Sequence, residues 1–157
     1  MRLTAFTDYS LRVLMYLASR PGERATIAQI AAAFQVSENH LVKVVHHLGK
    51  QGWLHNVRGK GGGMELAHAP ADIVVGHVVR STEGASVLAE CFEPGGGECC
   101  IDRNCRLRGV LSEAEQAFYA VLDRTTLADV VRNRTQLAHI LFTDKPPGRA
   151  RAPVPRP

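Results

Sequence analysis

Two short amphipathic helices in close succession, followed at once by a glycine-rich basic loop between strand-like runs, limit this chain more than any other feature. Thr26 caps the first helix, with Ile27, Ile30, Ala31 and Phe34 on one face. After the link Gln35-Val36, Ser37 caps the second, which runs to about Lys50. Leu41, Val44, Val45 and Leu48 recur along it at i, i+3, i+4, i+7, one apolar stripe. Gly52 is placed as the left-handed residue that closes this helix. The runs 53–57 and 64–67 then flank Arg58-Gly-Lys-Gly-Gly-Gly63, a β-hairpin with a long tip. Helix, tight link, helix and hairpin is the order of a winged helix-turn-helix.

The rest of the chain frames that unit. Thr7 caps a preceding helix in which Leu14, Leu17 and Ala18 recur at helical spacing, and Pro21-Gly22 ends it. Beyond the hairpin, Pro70 opens a helix from Asp72 to about Ser81. The segment from Cys91 to Cys105 carries Pro94 and Gly95-Gly96-Gly97 and reads as an irregular loop. A longer helix follows from about Leu107 to Arg124, with Leu111, Ala114, Phe118, Val121 and Leu122 along one side. Thr126-Leu-Ala-Asp129 is a capping box for a short helix. The expected fold is mainly α with a small β-hairpin wing. A winged helix-turn-helix occupies residues 1–69, the cysteine loop and a long C-terminal dimerisation helix occupy 70–142, and a disordered, basic, Pro-rich tail occupies 143–157.

Charge is distributed to match. Residues 1–66 hold eight Lys/Arg against four Asp/Glu, whereas residues 67–142 hold seven against ten. A basic front half points to a polyanion as its partner. The second amphipathic helix leaves Asn39, His40, Lys43, His46, His47 and Lys50 off its apolar stripe, and such a helix fits the major groove of double-stranded DNA. Ser37, Asn39 and His40 lie at its N-terminal end, where base edges are met first, and Lys43 reaches a phosphate or a guanine. Arg58 and Lys60 sit on the glycine loop, suited to phosphates or a narrow minor groove.

Other classes find less support. No apolar run is long enough to span a bilayer, the densest being 13–18, and the start lacks the apolar core of a signal peptide. No membrane partner and a cytoplasmic location are the expectation. The loop lacks the Lys-Ser/Thr of a nucleotide-binding P-loop, and neither a dinucleotide fingerprint nor a paired catalytic acid and base is present. The chain does not read as an enzyme. Cys91, Cys99, Cys100 and Cys105 cluster in one stretch, and in a reducing compartment that clustering indicates a metal or redox site. Soft thiolates suit an iron–sulfur cluster, while structural zinc and a disulfide switch are the alternatives.

The stretches MRLTAFTDYSLRVLMYLA, TIAQIAAAFQVSENHLVKVVHHLGKQGWLHNVRGKGGGMEL and CCIDRNCRLRGVLSEAEQAFYAVLDRTTLADVV together resemble the NsrR family of nitric-oxide-sensing repressors. That family lies within the iron–sulfur winged-helix regulators that include IscR. NHLVKVV and VRGKGGG mark the wider group; C-x5-C-R-L and TLAD narrow it. The resemblance covers residues 1–142. It implies a homodimeric repressor on a palindromic operator, with one iron–sulfur cluster per subunit, 4Fe–4S favoured and 2Fe–2S the alternative, and nitric oxide as the signal. By that resemblance Cys91, Cys99 and Cys105 are the ligands, with Cys100 as an alternate to Cys99. Asp8 takes the acidic ligand position supplied by the partner subunit. An IscR-like sensor of cluster supply is the milder alternative.

Overall fold

The computed structural model describes residues 3–59, 61–84, 88–92, 95, 99–101 and 104–142. Lys60, the Gly96-Gly97 pair and the tail at 143–157 lie outside the described residues.

Helix α1 spans Ala5–Ser19. Its cap is Thr4, not Thr7: Thr4 holds an extended backbone and its Oγ1 accepts from the Thr7 amide at 3.2 Å. Thr7 sits inside the first turn, fully buried, with its hydroxyl turned to the last turn of another helix. Two cap-competent threonines stand one turn apart, and packing decides between them. Helix α2 spans Ile27–Phe34 and begins with a complete capping box: Gln29 N donates to Thr26 Oγ1, and Thr26 N donates to Gln29 Oε1 at 2.8 Å. Gln35 closes it at φ 53°, left-handed, and there the chain turns into α3, Glu38–Lys50. Ser37 holds the N-cap position of α3, but its hydroxyl makes no capping hydrogen bond. Its carbonyl instead starts the helical ladder, accepting from His40 N and Leu41 N.

Strands β1 (Leu54–Val57) and β2 (Gly63–Leu66) pair antiparallel, Leu54 opposite Leu66 and Val57 opposite Gly63. Ala25 and Met64 exchange both backbone hydrogen bonds, at 3.0 and 2.8 Å, so strand β2 is pinned near its turn end to the residue just before the α2 cap.

The helix expected from Asp72 begins later. Pro70–Asp72 forms a 3-10 turn and α4 runs Val75–Glu83. The cause is a strand-like pairing between distant segments: Leu127 N donates to Ile73 O, Val75 N donates to Thr125 O, and Val74 bridges Thr126. Ile73 is buried in that pairing, and its carbonyl is not free for a helix. A further 3-10 turn at Glu90–Phe92 carries Cys91. Helix α5 spans Arg106–Asp123, α6 spans Leu127–Val130 behind the Thr126/Asp129 capping box, and α7 spans Arg134–Phe142.

One core joins these parts. Leu14 and Val13 of α1, Ile30 of α2, Leu41, Val44 and Leu48 of α3, Ile73, Val78 of α4 and Leu127 of α6 are all essentially inaccessible. Each such leucine or isoleucine contributes about 1.5–3 kcal/mol relative to exposure. The core crosses position 70, so the reading helices and the helices that follow form a single packed body. Helix α7 returns to α1, where Phe142 meets Tyr16 edge-on at 4.9 Å and Arg20 lies 3.8 Å over the Phe142 ring.

Candidate nucleic-acid interface and cysteine loop

The outer face of α3 is open. Ser37, Asn39, His40, Lys43, His46 and Lys50 are all exposed, while Leu41, Val44, Val45 and Leu48 are buried beneath them. His47, grouped with the outer residues from sequence, is half-buried. Its Nε2 lies 3.3 Å from Ser81 Oγ on α4, and its ring meets Phe6 of α1 edge-on at 5.3 Å. His40 stacks on Tyr9 with centroids 6.1 Å apart, so the first turn of α3 rests against α1. Arg58 is exposed at the hairpin tip. The glycines there are sterically required: a Cβ on Gly62 would fall 2.5 Å from the Val57 carbonyl oxygen. At the hairpin base Glu65 takes hydrogen bonds from Arg24 Nε (3.0 Å) and His55 Nδ1 (3.2 Å). Arg24 first, then His55, holds the Glu65 carboxyl below its ordinary value.

Asp8 lies in the first turn of α1 and is half exposed. Arg12, one turn on, binds both of its carboxylate oxygens: Nε donates to Oδ1 at 3.0 Å and Nη2 to Oδ2 at 2.7 Å. The same guanidinium lies 5.9 Å from the Tyr9 centroid and 5.7 Å from that of Phe34. Asp8, Arg12, Tyr9 and His40 thus form a continuous line of contacts from the candidate acidic ligand to the outer helix. The Asp8–Arg12 spacing was visible in sequence as an i, i+4 pair; the Tyr9–His40 stack had no sequence signal.

Of the four thiols, Cys91 and Cys105 are half-buried, Cys99 and Cys100 are exposed, and none is in a disulfide. Cys91 sits in the 3-10 turn and Cys105 is the N-cap residue of α5. Arg108, in the first turn of α5, lies 5.7 Å over the ring of Phe92, which ties the Cys91 turn to the start of the helix that Cys105 caps. The donor set fits an iron–sulfur cluster, because thiolates are its usual ligands. Among the described residues, no three His, Cys, Asp or Glu side chains converge as a metal site.

Helix α5 buries none of its residues. The single side expected from sequence divides into two adjoining faces. Leu111, Phe118 and Leu122 are half-buried, whereas Ala114 and Val121 join Leu107, Val110 and Ala117 in an exposed stripe. That stripe follows a heptad spacing. At its C-terminal end α5 is fastened to α4: Arg80 and Asp123 form a two-bonded ion pair, with Nη2–Oδ2 at 2.7 Å, and Arg80 covers the Tyr119 ring at 4.2 Å.

A helix-turn-helix with a hairpin wing and an open polar face on α3 has the architecture of the winged-helix regulators of transcription. The family model Rrf2, described as an iron-dependent transcriptional regulator, matches residues 3–133. The chain belongs to the Rrf2 family. It is 47% identical over 142 residues to the HTH-type transcriptional regulator NsrR of Bacillus subtilis, covering 90% of this chain and 97% of that one. Among solved structures, it is similar to CymR, the global cysteine regulator of B. subtilis, with TM-score 0.70, 27% identity and coverage of 85% and 98%. It is also similar to T. potens IscR, with TM-score 0.69, 26% identity and coverage of 85% and 88%. No helix among the described residues is long and apolar enough to cross a membrane.

Proposed function

We propose that the chain is a homodimeric repressor that binds a palindromic operator through α3 and the wing, and releases it in response to nitric oxide. The observation that carries the DNA reading is the outer face of α3, where Ser37, Asn39, His40, Lys43, His46 and Lys50 are open over the buried stripe of Leu41, Val44, Val45 and Leu48. Asn39, with His40 and Ser37, stands where a groove-bound helix presents its N-terminal residues to base edges; Lys43 and Arg58 supply phosphate contacts. Lys60, two residues on from Arg58 in sequence, would add a further phosphate contact. The exposed stripe of α5 supports a dimer, because apolar residues at heptad spacing on an open helix face mark a surface that pairs with another helix. Two copies related by a two-fold axis would space two reading helices on one duplex.

Cys91, Cys99 and Cys105 would hold the iron–sulfur cluster, with Asp8 of the partner subunit as the oxygen ligand. When bound, such a cluster supplies iron sites that nitric oxide can attack. The reading rests on the donor chemistry of the loop and on the similarity to NsrR regulators. Arg12 pairs with Asp8 in the isolated chain, so a change at that carboxylate would reach Tyr9 through Arg12, and His40 through Tyr9. An IscR-like sensor of cluster supply is favoured only by the structural likeness to IscR.

The test is anaerobic selection from random duplexes with the full chain. Enrichment of a two-fold symmetric sequence, bound with a steep inverse dependence on salt, is the expected result. Failure to enrich any sequence overturns the DNA reading.

A further inference from the structure

Val42 interrupts the polar outer face of α3. It is 51% exposed, and its polar neighbours three and four residues away on the helix surface, Glu38, Asn39 and His46, are exposed. Among the described residues 3–84 it is the single large apolar side chain left so open. The others of that kind, Ile101, Leu107, Val110, Val121, Val130 and Ile140, all lie on the cysteine loop or the later helices. A lone exposed valine on an ordinary surface calls for no explanation. This one stands on the outer side of the helix that would enter the groove, one turn on from Asn39, the residue placed to read a base.

In the major groove only thymine offers an apolar group, its C5-methyl. Valine's branched Cβ keeps its two methyls in one preferred helical rotamer, so they are presented with little entropy left to lose. We propose that Val42 is a specificity residue that selects a thymine in each half-site by packing on its C5-methyl group. The proposal rests on the DNA reading above and adds to it a base and a non-polar mode of recognition. Asn39 and Lys43 hydrogen-bond, and neither can distinguish a thymine from the same base without its methyl.

The test uses the full chain and the duplex it selects. Each thymine of the site is replaced in turn by deoxyuridine, which removes the methyl and leaves every hydrogen-bonding group. The expected result is one thymine per half-site whose replacement weakens binding about 3- to 5-fold, the effect of one buried methyl. Val42→Ala, which favours helix at an exposed site and leaves the fold intact, removes the contact in both half-sites at once and should bind the unmodified duplex about 10- to 25-fold more weakly. It should also be indifferent to deoxyuridine at that position. If the wild-type chain senses no methyl, or Val42→Ala keeps the same deoxyuridine penalty, the assignment to Val42 is overturned while selective DNA binding stands. If no sequence is selected at all, the DNA reading falls, and this proposal with it.

Discussion

The hydroxyl of Thr7, in the first turn of α1, donates to the carboxylate of Glu83, the last residue of α4. Thr4 adds its amide to the same oxygen at 2.8 Å and its hydroxyl at 3.1 Å. A carboxylate from one helix therefore covers the positive end of another, the place where negative charge is favoured. Because Asp8 follows Thr7 directly, and the chain leaves Glu83 toward the cysteine loop, this contact joins the two parts of the proposed sensor.

Burial pushes the Glu83 carboxyl up, but the hydrogen bonds from Thr7 and Thr4 outweigh it and hold the group below its ordinary value. The unfolded chain then binds the proton more tightly than the folded one. The stabilisation is complete above the ordinary carboxylate value and is lost as pH falls through the lowered folded value. Glu83→Gln should cost about 0.5–1 kcal/mol at neutral pH, the scale of a cap and dipole contact. Chemical denaturation at neutral and acidic pH checks this, with the gap between wild type and variant closing in acid.

Gly76 lies under α5. A Cβ there would run into the Asp123 carboxylate and stand 3.0 Å from the Asp123 backbone nitrogen. Gly76→Ala should destabilise the chain by about 1–3 kcal/mol, as overpacking does, and loosen the Arg80–Asp123 fastening. Thermal unfolding measures the first effect. A weaker dimer in sedimentation measures the second.

Contacts close in sequence were legible and distant ones were not. The Thr126/Asp129 box is a four-residue pattern and forms as read, and Thr26 caps α2 as read, with Gln29 completing a second box there. The α2–α3 turn, the hairpin and the left-handed Gly52 follow equally from local residue chemistry. The late start of α4 depends on Ile73 and Val75 meeting Leu127 and Thr125 across the chain, and no local pattern announces that. Helix α7 escaped notice because its apolar residues make no clean stripe; Phe142 is held by Tyr16 and Arg20 of α1 instead. On α5, apolar residues occupy two neighbouring faces, and contacts distant in sequence, Arg80 with Asp123 and with the Tyr119 ring, hold one of them against α4. At the candidate site, Asn39, Lys43 and Arg58 are as open as their positions suggest, while His47 is drawn inward by Ser81 and Phe6.

Base-reading and phosphate contacts should separate in binding assays. Arg58→Ala should weaken all duplexes alike and reduce the salt slope by about 2, one contact from each subunit, whereas Asn39→Ala should relax discrimination at one base position of each half-site by about 1–3 kcal/mol. Competition with single-base variants of the selected site, at several salt concentrations, distinguishes them.

The ligand assignment makes its own division among the thiols. Cys91→Ser, Cys99→Ser and Cys105→Ser should each yield colourless protein when purified without oxygen. Cys100→Ser should remain brown. Iron and sulfide analysis beside visible absorbance checks this, and stoichiometric zinc in a colourless wild-type protein would replace the cluster with a structural metal.

The coupling between thiol-bound iron and DNA is measured most directly by titrating the anaerobic holoprotein with nitric oxide on its selected duplex, following visible absorbance and binding together. Affinity should fall by about 10²- to 10³-fold as the absorbance changes, a coupling of about 3–4 kcal/mol. Equal affinity before and after, or equal affinity once the iron has been removed, would contradict the account and leave a regulator indifferent to its metal.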